Sequence, residues 1–264
     1  MNFQGLLVLF IVALIFCSVG FYKFVYFMSV GYGLAVAAIG VALLVFGFND
    51  YSTMGIVLGS VLMIVYGFRL AGFLMYRELK NGAYKKVLAD ASTGTTTLSF
   101  PIKVLMWGGM ALLYVLQTSP LFFRLDNMVN DNTFIYAGCA ISALGIVIET
   151  LADIQKSNQK KVRSDMVATK GLYSVVRCPN YLGEILFWTG VFVEGITAYA
   201  NILQFIFSFV GYILILYVMV DSAKRLEIKQ NKNYGSKDEY WEYANNTPIL
   251  FAFIPLYHLS KVED

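Results

Sequence analysis

Charge is scarce in this sequence: Asp, Glu, Lys and Arg make up 14% of its 264 residues, where a soluble domain carries roughly a quarter. That shortfall, with 58% hydrophobic residues and a mean hydropathy of +0.64, excludes an ordinary solvated domain and reads as an integral membrane protein. Histidine occurs once, at His258, and the three cysteines, Cys17, Cys139 and Cys178, lie far apart in or beside apolar runs. Neither a zinc site nor a disulfide framework has the spacing it needs. A net charge of +3 is too mild for nucleic-acid binding, and the basic residues collect in particular loops, as topology signals or a phosphate site would. Before Lys23 there is no charge and no small-residue cleavage pattern, so the first apolar run is expected to be a retained span and not a signal peptide.

Apolar runs of about 20 residues predict seven spans, at about 5–25, 28–47, 54–75, 101–116, 133–151, 181–198 and 202–220. The fold class is all-α, a polytopic membrane bundle in a single domain, with residues 221–264 as a tail packing on it. Ser119-Pro120 is expected to end the fourth span. Lys and Arg concentrate in the loops after spans one, three and five and in the tail. The loop before span six alone holds Lys156, Lys160, Lys161, Arg163, Lys170 and Arg177 against Asp165. By the positive-inside rule the N-terminus is expected outside and the C-terminus in the cytoplasm.

On that topology the informative polar residues share the cytoplasmic side. Tyr66 and Arg69 fall near the inner end of span three, Glu149 and Asp153 close span five one helical turn apart, and Asn180 and Glu184 open span six with the same spacing. An ionisable group in a span costs about 2.5–3.5 kcal/mol on the insertion scale, so it faces a cavity or a partner. A rim of Arg69, Arg77, Arg177, Lys224 and Arg225 suits an anionic ligand such as a phosphorylated nucleotide. Plainer roles compete. Arg69 and Arg77 can snorkel to headgroups, Glu149 and Asp153 can pair with the lysines after them, and Asn180 after Pro179 can cap a helix with Glu184 near the positive end of its dipole. Cys178 reads as a buried inert thiol, Asp221 as the membrane exit of span seven, Glu194 as interfacial, and His258 as having no catalytic role.

Gly171-Leu172-Tyr173 followed by Asn180-Tyr181-Leu182-Gly183-Glu184 resembles the C-terminal signature of membrane steroid 5-alpha-reductases and their bacterial DUF1295-type relatives. Tyr66-Gly67-Phe68-Arg69 is similar to that family's YxxR segment, and the stretch to Pro255 resembles its closing pattern. The resemblance implies NADPH-dependent reduction of an activated carbon-carbon double bond in a lipophilic substrate, in a bacterial inner membrane or endoplasmic reticulum, with the site open to the cytoplasm. It implies that Asn180, Tyr181 and Glu184 lie on the nicotinamide side and that Asp153 and Glu149 contact ribose or amide. Arg69, Arg77, Arg177 and Arg225 would face the phosphates, and Tyr66 would donate to the substrate carbonyl. Steroid-reducing members pair that tyrosine with an acid in an early span. Here spans one and two hold no acid and Asp50 falls at the outer end, so another donor such as Tyr32, or a substrate other than a 3-oxo-steroid, is implied. Arg177-Cys178-Pro179-Asn180-Tyr181-Leu182-Gly183 also echoes isoprenylcysteine carboxyl methyltransferases, which use S-adenosylmethionine, but Cys178 stands where they carry histidine. A non-catalytic lipid-binding protein on the same fold is the third reading.

Overall fold

The computed structural model describes residues 3–49, 51–80, 82 and 99–260; Asp50, placed above at the outer end of the second span, lies outside them. The described residues form helices and connecting turns, with no strand among them. In chain order the α-helices are α1 Phe3–Cys17, α2 Val30–Asn49, α3 Met54–Lys80, α4 Phe100–Asp126, α5 Thr133–Val162, α6 Pro179–Gly195, α7 Ile202–Tyr234 and α8 Asp238–Asn246. Short 3-10 turns cover Ser18–Phe21, Phe24–Met28 and Gly171–Ser174.

Six of the helices are long and apolar enough to cross a membrane, the first of them running on through its 3-10 turn to Phe21. The one expected span outside these six is the sixth, α6, whose 17 residues reach about 25 Å, short of a hydrocarbon core about 30 Å thick. Helices α5 and α7 continue past the expected ends at 151 and 220 to Val162 and Tyr234. No Gly or Pro interrupts either extension, so loss of hydrophobicity does not stop the helix.

The fourth span departs most from expectation, because α4 runs through Pro120 to Asp126. Proline at 120 removes the amide that would bond the carbonyl of Leu116. The hydroxyl of Ser119 donates to that carbonyl at 2.8 Å and takes the place of the missing donor. Thr118 bonds the Tyr114 carbonyl at 2.8 Å. Small residues seat against the break: a Cβ on Gly195 would lie 2.6 Å from Pro120, and one on Gly211 2.6 Å from the Leu116 oxygen. Polar residues that looked like a helix stop are thus the repair of a helix interior.

The chain divides into two compact units, Met1–Cys139 with Val191–Tyr212, and Ala140–Gly190 with Ile213–Asp264. In the first, α2 and α3 touch backbone to backbone where Gly33 meets Gly67 and Gly40 meets the Ser60 carbonyl, the small-residue packing that lipid-embedded helices use. One end of this unit is tied by Arg124, fully buried, whose Nε donates to the Glu194 carbonyl at 2.8 Å, Nη1 to the Asn130 carbonyl at 2.9 Å and Nη2 to Thr197 Oγ1 at 2.7 Å. Glu194, expected at an interface, is itself fully buried. Opposite charges on neighbouring helices are affordable in an apolar interior only when enclosed together and hydrogen bonded.

Candidate cofactor site

In the second unit the Gly171-Leu172-Tyr173 segment owes its shape to two glutamines on α5. Gln159 Oε1 accepts the amides of Thr169 and Lys170 at 2.9 Å each, and Gln155 Oε1 accepts that of Leu172 at 2.8 Å. Gly171 has φ of +71° and would carry a Cβ only 2.5 Å from Gln155 Oε1, so both its handedness and the close approach require glycine. This turn packs the Tyr173 ring on Ala152 and Ala168. The Tyr173 hydroxyl is buried with no hydrogen-bond partner among the described residues. Burial pushes its pKa up, and the nearby Asp153 carboxylate adds to the shift.

Gly183 explains the glycine of the Asn180-to-Glu184 motif. A Cβ there would sit 2.7 Å from the Glu149 amide and 2.8 Å from the Gly145 carbonyl, and one on Gly145 would sit 2.5 Å from the Phe187 amide. Helices α5 and α6 therefore cross antiparallel with their backbones in contact, 187 beside 145 and 183 beside 149. The same stepping brings Asn180, one turn earlier on that face, to the level of Ala152 and Asp153. Glu149 and Glu184 are both buried, while Asp153, Asn180 and Tyr181 are half-buried. The helix starts at Pro179, so Asn180 lies within the first turn and is not its cap. Its Oδ1 is buried without a partner among the described residues. Two unpartnered polar atoms, from Tyr173 and Asn180, thus meet one level of α5 in acidic surroundings.

Arg177 has a different place from the one expected. Its guanidinium is buried against Glu227, Nη2 to Oε1 at 2.8 Å, and Nη1 reaches the carbonyls of Ala244 and Tyr257 at 3.2 Å each. The amides of Arg177 and Cys178 bond the carbonyls of Pro248 and Ile249 at 2.8 and 2.9 Å, and Tyr243 donates to the Tyr173 carbonyl at 2.6 Å. The tail is thereby clamped onto the loop that leads into α6. Cys178 lies in this joint, its thiol pushed up to about 12 by burial, which fits the inert reading. His258, given no catalytic role, sits between Glu227 Oε1 and Asn245 Oδ1, 2.9 Å from each. Arg225 is exposed on α7 and pairs with Asp221.

Tyr66, Arg69 and Arg77 belong to the first unit. Tyr66 is fully buried and its hydroxyl donates to that of Tyr32 at 3.0 Å; the Tyr32 ring stacks on Tyr114 at 4.9 Å between centroids. Arg69 is half-buried with its guanidinium over the Phe73 ring, and Arg77 is half-buried near the end of α3. Sequence reasoning missed Glu78, which pairs with Lys23 and accepts from Tyr26 at 2.6 Å. It also missed Gln155 and Gln159. Their spacing of four, opposite a glycine turn of fixed shape, is the signal that could have found them.

A family model described as a protein of unknown function (DUF1295) matches residues 12–247. No curated protein and no solved structure matches the chain.

Proposed function

The chain belongs to this DUF1295 family, and we propose that it is an integral-membrane oxidoreductase that uses NADPH to reduce an activated carbon-carbon double bond of a lipophilic substrate. The observation that carries this reading is the pair of buried, unpartnered atoms at the α5–α6 crossing, Tyr173 Oη and Asn180 Oδ1. A carboxamide fits such a pair, since its N–H groups suit the Asn180 acceptor and its carbonyl suits the Tyr173 donor. Buried polar groups of this kind otherwise cost about 1–3 kcal/mol each.

On this reading Asn180, Tyr181 and Glu184 orient the nicotinamide end, Asp153 and Glu149 hold ribose or amide donors, and Arg69, Arg77 and Arg225 stand as phosphate-side candidates. Arg177 instead fixes the loop through Glu227. The cofactor would supply hydride. Tyr66 would donate a hydrogen bond to the substrate carbonyl and so make the β carbon electrophilic. Orientation with the C-terminus in the cytoplasm completes the proposal; a C-terminal reporter found on the outer side of the membrane would reverse it.

Titrating NADPH, NADH and S-adenosylmethionine against the thermal stability of the purified protein tests the reading, since ligand at a hundred times its Kd adds about 2.7 kcal/mol. NADPH is expected to stabilise, and Asn180→Ala and Glu184→Ala to abolish the effect. Stabilisation by S-adenosylmethionine alone would favour methyl transfer and sink the reductase.

A further inference from the structure

Gln117 is the least explained polar residue of the first unit. It lies on α4 where residues 114–125 are buried on every side, its own exposure is 3%, and neither Nε2 nor Oε1 has a hydrogen-bond partner among the described residues. An amide with both ends unmet inside a membrane-spanning helix is a place for a partner that the described residues do not supply, a ligand or a buried water.

The position of Gln117 says where that ligand sits. A Cβ on Gly59 would lie 3.0 Å from the Leu121 side chain, and α3 and α4 run in opposite directions in the first unit. Stepping from that contact brings Met63 to the level of Gln117 and Tyr66 to the level of Tyr114. Tyr32 agrees, since it bonds Tyr66 and stacks on Tyr114. Gln117 is three residues from Tyr114, about 4.5 Å along the same face of α4, and a helical side chain leans toward the preceding turn. Its amide therefore leans toward the layer of the Tyr66 and Tyr32 hydroxyls.

The donor and acceptor count selects the ligand's chemistry. A ketone or ether oxygen satisfies Nε2 and leaves Oε1 unmet, whereas an alcohol accepts from Nε2 and donates to Oε1. No charged side chain hydrogen bonds the Gln117 amide among the described residues. We infer that Gln117 recognises the hydroxyl group of a neutral lipid alcohol held inside the first unit beside Tyr32 and Tyr66. A lipid alcohol held here need not carry the conjugated carbonyl that the proposed reduction requires, so the binding site stands independently of the reductase reading.

The test uses the full chain in lipid nanodiscs without any nicotinamide nucleotide, so that its failure is separate from failure of the reductase reading. Binding of radiolabelled geranylgeraniol and cholesterol is compared with that of their methyl ethers, which keep the acceptor and lose the donor. At least one alcohol is expected to bind about tenfold or more tighter than its ether. Gln117→Met is expected to bring that alcohol down to its ether's affinity while leaving the ether unchanged. Gln117→Asn, which withdraws the amide by one methylene, is expected to do the same and serves if the methionine variant misfolds. Equal affinity of alcohols and ethers for the unaltered protein overturns the inference, as does no binding by either alcohol. So does a preference that persists in both variants, or a change in melting temperature alone, which would assign the amide to a buried water.

Discussion

Removing the Arg177 guanidinium distinguishes a structural clamp from a phosphate contact. Side chains at this pair are 1% and 0% exposed. Glu227 Oε1 faces Arg177 and His258, while Oε2 accepts the amides of Leu259 and Ser260 and the Ser260 hydroxyl at 2.7–2.9 Å. In Arg177→Met the carboxylate stays buried and loses its guanidinium, a loss worth about 3–5 kcal/mol where a partner is taken from a buried pair. At about 1.4 kcal/mol per tenfold, tail undocking rises by roughly two to three and a half orders of magnitude. Hydrogen exchange of the amides at 247–260 is expected to accelerate accordingly, and limited proteolysis to cut there first. Adding Glu227→Leu should recover only part of the loss, because the amides of Leu259 and Ser260 then lack their acceptor. The ratio of NADPH to NADH affinity is expected to stay constant, since the guanidinium is occupied within the protein. A fall in that ratio with tail protection unchanged would refute the argument and return Arg177 to the phosphates.

Four further outcomes follow from the geometry. Gly183→Ala forces the α5–α6 crossing apart by a methyl group that would stand 2.7 Å from the Glu149 amide; a stability loss of about 1–3 kcal/mol, with loss of NADPH binding, is expected in thermal titrations, and an unchanged melting temperature counts against the crossing. Tyr173→Phe should leave the ligand-free protein as stable or more so while weakening NADPH, whereas Tyr66→Phe should lower turnover with NADPH affinity kept; equal turnover would remove Tyr66 as donor. Around α8, hydrogen bonds from Lys237 and Arg163 hold the carboxyls of Asp165 and Glu239 below their usual range. Their contribution is present above the ordinary carboxyl range near pH 4 and is lost as pH falls through the depressed values. The protection factors of the amides at 238–246, taken against the intrinsic exchange rate at each pH, should therefore fall below about pH 4, modestly and less at high salt because both pairs are exposed; protection that rises in acid would show the sign to be wrong.

Much of the candidate site was legible because its residues are polar where the chain is apolar. Glu149, Asp153, Asn180 and Glu184 stand out at helical spacing, and the structure gathers them at one crossing. Their separate chemistry was not legible: Asn180 has the residue type of a helix cap, and only a helix beginning at Pro179 with Oδ1 left unpartnered removes that role. Arg177 looks like any loop cation until the carboxylate of Glu227, fifty residues later, is seen against it.

Composition and run length by themselves determined that this chain is helical and membrane-spanning, since a backbone in lipid must satisfy its own hydrogen bonds and few local structures do so. They placed the helices to within a turn or two, except where charge was mistaken for a helix end or Pro120 for a break. What only the tertiary structure decided is which polar groups are enclosed together. The Ser119 repair of α4, the Gly145–Gly183 contact, the Arg177–Glu227 clamp and the unmet amide of Gln117 each depend on proximity between side chains or backbones whose pairing is fixed by packing. Desolvation makes such pairings decisive: in an apolar interior an unmet polar group is costly, so its partner, or the ligand that replaces one, shapes the site.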